Sequence, residues 1–443
     1  MQHLTAQGLP AAGSTSKLKD IVAALIGNTF EWFDFVIYGY FAAILVEVFF
    51  PPRQGIAPML MVMATFGLGF VARPLGGLAF GLYADRYGRK RSLVLTIWLM
   101  VAGTAMIGFA PTYASAGSTG ATMIAIGRLL QGFGASGEYG SAIAFLVEKA
   151  PASRRNFYVS LQMGSTMFAI LLASIVGTSL VTFLSPEELR NWGWRLPFLF
   201  GLLIAPVGYY IRSKVDESSA FRSTPRLGTF APLKELFGNH LRTLIAALCI
   251  AAMGSFSFYV TIVYMPTYAV RELELLPQAP FLGTAVAALV LIVVCPLSGY
   301  LVDRKFKLLQ LLLIGAVGLA LISYPLFEWT IAEPSLVRLL TTLGLIAVPL
   351  GMVSGLLAPA TSQAFPVTIR STALSISYNL PTMLSGFSPL AVTWVVASTQ
   401  IKAAPALFLI AAAIVGIIGA LLLPREEKGE IHDRSTTIQH ARG

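Results

Sequence analysis

The sequence predicts an all-α polytopic membrane protein with twelve transmembrane helices in two six-helix bundles. Three observations carry this. Of the residues, 56% are hydrophobic and only 12% charged, a balance that a soluble domain could not keep in solution. The apolar residues gather into runs long enough to cross about 30 Å of hydrocarbon. The longest polar stretch, 213–241, divides those runs six and six.

In chain order, residues 1–20 form a polar cytosolic segment with Lys17 and Lys19 and without the apolar core of a cleaved leader. Apolar runs follow at 21–46, 58–83, 92–110, 120–147, 157–184 and 195–212, which make the first bundle, 21–212. The linker 213–241 carries both signs of charge. The second bundle, 242–423, holds runs at 242–268, 280–302, 308–327, 337–364, 371–397 and 404–423, and residues 424–443 form a polar tail. With the N-terminus in the cytosol, roughly 23 Lys and Arg fall at cytosolic ends and about 8 elsewhere, as the positive-inside rule requires. Arg86, Arg89, Lys90 and Arg91 after the second run, Lys149, Arg154 and Arg155 after the fourth, and Arg304, Lys305 and Lys307 after the eighth dominate that count. Both termini are therefore expected inside.

The basic balance needs no nucleic acid, because no soluble module presents a basic face with base-reading residues. Cys249 and Cys295 lie within apolar runs and read as packing residues. His3, His240, His432 and His440 lie at or outside run ends, and neither a zinc-protease motif nor a phosphate-binding loop occurs, so neither an enzyme nor an ATP-driven pump is expected. The tail is too short for a signalling domain. What remains is a secondary transporter without a cofactor.

The first run carries a costly feature. Within Gly27-Asn28-Thr29-Phe30-Glu31-Trp32-Phe33-Asp34-Phe35 two carboxylates share one helix face. An acid at a helix centre costs roughly 2.5–3.5 kcal/mol to insert, so it must be protonated, paired or wet. Acids inside the membrane are functional by default; satisfaction by neighbouring helices, locking packing only, is the alternative reading. The partner expected for them is Arg128 in the fourth run, since a buried guanidinium keeps its charge and demands anions or carbonyls. Arg128, Gln131 and Glu138 form one polar stripe, with Gly132, Gly134, Gly137 and Gly140 beside it for close packing. An acid that trades its hold on arginine for a proton makes a switch. Asp34 is the expected proton site, with Glu31 in support and Glu138 as rival. Arg73 in the second run reads as a cation snorkelling to the boundary, and ranks below Arg128.

An internal repeat supports two halves. Gly81-Leu82-Tyr83-Ala84-Asp85-Arg86 ends the second run as Gly299-Tyr300-Leu301-Val302-Asp303-Arg304 ends the eighth, and Ala150–Arg155 precedes the fifth as Phe365–Arg370 precedes the eleventh. Parallel halves place a substrate site at their interface near the midplane. Gly81 to Lys90 resembles the loop signature of the major facilitator superfamily, and Gly127-Arg128-Leu129-Leu130-Gln131-Gly132 resembles its fourth-helix motif. Glu31–Phe35, Arg73-Pro74-Leu75-Gly76-Gly77, Gly137-Glu138-Tyr139-Gly140 and Trp192–Phe198 are similar to the metabolite:proton symporter branch, and Phe306 stands where the second-half loop would carry glycine. The resemblance implies the major facilitator fold and a bacterial inner-membrane protein working as a monomer with protons, a small-molecule substrate and the lipid bilayer as its partners. Asp85, with Arg86, Gly88 and Arg89, reads as a conformational latch, joined by Glu148, Arg155, Arg212, Glu217 and Asp303; a solvated cluster is the alternative for the arginines.

Gln131, Gln162, Ser165, Tyr259, Tyr264, Tyr268, Tyr378, Asn379 and Thr382 are candidates for lining the cavity with Arg128. The buried arginine favours an acid, and Phe258–Tyr268 together with Gly127–Gly132 resembles citrate and tricarballylate carriers. A zwitterion such as proline or betaine, a dicarboxylate or a shikimate-like acid is the alternative; Trp32 and the tyrosines could cage a cation.

Overall fold

The computed structural model describes residues 13–50, 57–87, 89–136, 143, 146–147, 150–202, 231–366 and 369–423. Among the described residues every regular element is helical. The longer helices of the first half are α1 (Gly13–Tyr40), α2 (Ala42–Phe49), α3 (Ala57–Tyr87), α4 (Arg89–Gly108), α5 (Thr119–Ala135) and α6 (Arg155–Phe183), with short helices at Tyr113–Ala116 and Pro186–Asn191 and helical turns at 196–202. Next come α7 (Ala231–Asn239), α8 (Leu241–Phe258), α9 (Met265–Arg271), α10 (Ala279–Arg304) and α11 (Leu308–Ala332). The chain closes with α12 (Leu336–Gln363), α13 (Arg370–Ser385), α14 (Ser388–Thr399) and α15 (Ala404–Leu422). Each of the twelve apolar runs holds helix. Among the described residues eight spans are long and apolar enough to cross a bilayer, and the bent pair α1–α2, counted as one span, makes a ninth.

Three runs differ in detail from the expected helices. The first does not begin after a separate polar segment, because α1 starts at Gly13, and it bends by 63° at Phe41. The bend lays Tyr40 and Phe41 against the Phe281 ring of α10, at 5.7 and 6.2 Å between centroids. The seventh is interrupted by a π-helical segment, Tyr259–Val263, immediately ahead of Pro266. Proline has no N–H to continue the ladder, and the register shift absorbs that loss. The eleventh breaks at Gly386 and Phe387, where Pro389 starts α14. The linker also contains structure: Leu236 of α7 packs with Leu244 of α8 and with Phe365, Ile369 and Ala373 at the start of α13.

Within the first half, α5 packs against α3 and α4, and α1 against α6; within the second, α8 packs on α15 and α13, and α12 on α10 and α11. The halves meet along two seams, α6 with α10 and α3 with α13 and α14. At the second seam two glycines and two phenylalanines interlock: a Cβ at Gly67 would strike the Phe387 ring, and one at Gly386 would strike Phe70. At Gly132 of α5 a Cβ would strike the Gly69 backbone of α3, and one at Gly134 would strike Met100 and the Thr96 carbonyl of α4, so these two glycines serve close helix approach, while Gly137 and Gly140 lie outside the described residues.

Candidate functional site

The polar centre is assembled from α1, α3, α4 and α5. Arg128, fully buried on α5, donates from Nη1 to Oε1 of Gln131 at 3.0 Å and from Nη2 to the Phe66 carbonyl at 3.4 Å. Gln131 Nε2 donates to Thr104 Oγ1 at 2.8 Å, and that hydroxyl donates to Asp34 Oδ2 at 2.7 Å. One continuous hydrogen-bonded chain therefore runs Arg128–Gln131–Thr104–Asp34. Arg128 and Asp34 are linked through two neutral side chains rather than as a direct ion pair, which corrects the simplest expectation from sequence. The i, i+3 spacing expected of Arg128 and Gln131 is the spacing they use.

Glu31 takes a different partner. Its Oε1 lies 3.6 Å from Nη2 of Arg73 on α3, both side chains being buried. The reading of Arg73 as a snorkelling cation is thus overturned, since its guanidinium points into the bundle, 2% exposed, and not to a boundary. The two acids of one helix face serve two different arginines.

Aromatic rings complete both cation sites. The Arg128 guanidinium lies 4.5 Å from the centroid of Phe35, 4.9 Å from Tyr38 and 5.0 Å from Phe66. Arg73 lies 5.4 Å from Phe35, 5.4 Å from Phe70 and 5.9 Å from Trp32. Ring faces stabilise desolvated cations, which explains how two guanidinium groups persist here with so few carboxylates. Several polar atoms are left over: Asp34 Oδ1, Arg73 Nε and Nη1, Arg128 Nε and the Tyr259 hydroxyl are buried without a hydrogen-bond partner among the described residues.

Beside these groups, at the junction of the halves, lies a cavity of about 20 Å³, room for a water molecule. Trp32, Thr166, Ser255, Tyr259, Ser354 and Tyr378 contribute to its wall. Of the expected lining residues, Tyr259 and Tyr378 are there. Gln162 is bonded to Asn28, its Nε2 3.3 Å from Oδ1, while the Asn28 amide reaches Ser165 Oγ at 2.8 Å and Thr166 Oγ1 at 2.9 Å. The Tyr264 ring lies tilted against Tyr268, 5.9 Å between centroids, and the Tyr268 hydroxyl donates to the Lys402 carbonyl at 2.8 Å, away from the cavity wall. Asn379 bonds Ser375 at 3.3 Å, and Thr382 lies 3.4 Å from Ser255.

Two groups join the seam between halves on either side of the centre. Asp303, at the end of α10, accepts from the Asn156 backbone at 3.1 Å, the Asn156 amide at 2.8 Å and the Phe157 backbone at 2.9 Å. It caps the exposed amides of the α6 N-terminus, and Gln363 of α12 adds a 2.7 Å bond to Asn156. Arg155 is exposed nearby. At the opposite end Ser174 of α6 meets Thr284 of α10 at 3.0 Å. The side chains of Asp85, Arg86 and Arg89, and the residues Gly88, Glu138, Glu148, Arg212 and Glu217, lie outside the described residues.

Sequence reading passed over Thr104, Gly201 and Asn28. A single threonine in an apolar run gives no signal. Gly201 matters by lacking a side chain, since a Cβ there would collide with Asp34 Oδ1.

A helical bundle in two halves, with apolar spans and a buried acid–arginine centre, is the architecture of a membrane transporter. The sequence pattern of the Major Facilitator Superfamily matches residues 24–387. The chain belongs to that superfamily. It is 33% identical over 419 residues to a citrate-proton symporter of Klebsiella pneumoniae, covering 94% of each chain. It is also 32% identical over 413 residues to a proline/betaine transporter of Salmonella typhimurium, covering 90% of this chain and 82% of that one. Its fold matches the partially occluded inward open conformation of the xylose transporter XylE from E. coli with a TM-score of 0.73 at 18% identity, over 92% of this chain and 97% of that one.

Proposed function

We propose that the protein is a proton-coupled symporter carrying a small organic acid of the citrate type across a bacterial inner membrane, with both termini cytosolic. The observation that carries this reading is the buried chain from Arg128 through Gln131 and Thr104 to Asp34. A carboxylate tied to a cation through neutral groups can exchange that tie for a proton, and the arginine can then take an external anion. Residues 21–212 and 242–423 act as two bodies joined by the linker 213–241 and rock about the centre. One chain encloses both halves of the site, so a monomer suffices.

The name of the Klebsiella relative supports a tricarboxylate, and that of the Salmonella relative supports a zwitterionic osmolyte. The geometry favours the acid. The faces of Phe35, Tyr38 and Phe66 are occupied by Arg128, and those of Trp32 and Phe70 by Arg73, so the rings that would cage a quaternary ammonium already hold cations.

The test is uptake into proteoliposomes under an imposed pH gradient, comparing labelled citrate, 2-oxoglutarate, shikimate and betaine. Citrate accumulation abolished by a protonophore is expected; betaine accumulating while citrate does not would overturn the acid reading. Asp34→Asn should abolish gradient-driven accumulation and keep substrate exchange, with Glu138→Gln run beside it. Accumulation undiminished in Asp34→Asn would remove Asp34 as the proton site.

A further inference from the structure

Arg73 holds one loose ionic contact in a dry place. Its 3.6 Å approach to Glu31 is longer than the 2.7–2.9 Å usual for a charge-assisted hydrogen bond, and its Nε and Nη1 are buried without a hydrogen-bond partner among the described residues. Arg128 likewise keeps an unpartnered Nε although its outer nitrogens are engaged. The two guanidinium groups lie over the same Phe35 ring, at 5.4 and 4.5 Å. The Tyr259 ring is 5.0 Å from Phe70, which carries Arg73, and its unpartnered hydroxyl belongs to a residue of the cavity wall. Unsatisfied guanidinium donors are costly to bury, and a site that keeps several of them together has an acceptor that comes and goes.

We infer that Arg73 is a second carboxylate-binding point of the substrate site, occupied by Glu31 when substrate is absent, and that the site selects acids bearing at least two carboxylates. The inference rests on the acid reading above and sharpens it. One substrate carboxylate meets Arg128, and the other displaces Glu31 from Arg73. The groups around Glu31 include Arg73 from α3, Tyr259 from the π-helical segment and Tyr378 from α13, with Arg73 neutralised by the substrate. Because the second carboxylate takes the place of Glu31 on Arg73, its binding adds a negative charge to a buried site and is coupled to proton uptake. A monocarboxylate leaves the Glu31–Arg73 pair intact.

The experiment is titration calorimetry on purified protein in nanodiscs, with tricarballylate, succinate and butyrate as probes and proton uptake followed in buffers of different ionisation enthalpy. Wild type should bind tricarballylate and succinate in preference to butyrate, with proton uptake. Glu31→Gln removes the resident competitor, so its tricarballylate affinity should rise about tenfold, part of the proton uptake should vanish, and added ligand should raise its melting temperature more than that of wild type. Arg73→Gln should weaken tricarballylate about thirtyfold or more and erase the preference over butyrate, while monodisperse elution checks its folding. Unchanged or weaker tricarballylate binding in Glu31→Gln, or an intact preference in Arg73→Gln, overturns the inference. If wild type binds betaine and none of the acids, the acid reading itself fails, a result distinct from both.

Discussion

At the residue scale the centre works through single atoms. Thr104 both accepts from Gln131 and donates to Asp34, so one hydroxyl holds the relay together. Thr104→Val keeps the shape and deletes both bonds. A hydrogen bond to a charged group is worth about 1.5–3 kcal/mol, so gradient-driven uptake should fall roughly tenfold or more while exchange persists; equal loss of both would point to general damage. Gly201 tests the opposite fault. Gly201→Ala pushes its new methyl into Asp34 Oδ1, so it should slow substrate exchange and yet leave the exchange of an Asp34→Ala background unchanged, where the collision is gone. Additive effects would show that Gly201 serves helix packing alone. The acids and Arg128 were legible in sequence because charge inside an apolar run is expensive wherever it falls. The Glu31–Arg73 pairing was not, because those residues lie on different helices and no spacing rule spans helices.

At the element scale, helix ends and interruptions carry the design. Asp303, on a helix of the opposite half, accepts three hydrogen bonds from the start of α6. Asp303→Ala leaves those amides exposed at a cost of about 1 kcal/mol or more, and hydrogen exchange of the peptide beginning at Asn156 should accelerate at least about fivefold. Unchanged protection would mean that the cap contributes nothing to closure. The repeat that pairs Asp85 with Asp303 drew attention to this position from sequence alone, since both end a run with the same Asp-Arg step. Run lengths likewise gave the helices, because hydrocarbon thickness sets them. The bend at Phe41 and the π-helical segment stayed hidden: the former leaves the apolar pattern unbroken, and Pro266 signals a disturbance without saying which register shift relieves it.

At the scale of the whole molecule, the seam between halves is closed on both sides of a water-sized cavity. On the Asp303 side, Gly299 lies so close to Ser160 and the Asn156 carbonyl that a Cβ would collide with them; on the other, Gly177 stands in the same relation to Phe281. A substrate-sized acid does not fit 20 Å³, so the cycle proposed above requires the halves to part, one side at a time, to admit it. These two glycines offer a wedge for each side. With the orientation proposed above, Gly299→Leu props open the cytosolic seam and Gly177→Leu the external one. A cysteine at the cavity position Ser354, in a background with Cys249 and Cys295 replaced by alanine, reports which side has opened. Membrane-impermeant maleimide should label Gly177→Leu from outside intact cells and leave Gly299→Leu unlabelled, and inverted vesicles should reverse the pattern. Both wedges should stop net uptake, because a carrier held on one side cannot complete its cycle. If both variants label from the same side, the two seams do not open in alternation and the rocking of the halves is refuted.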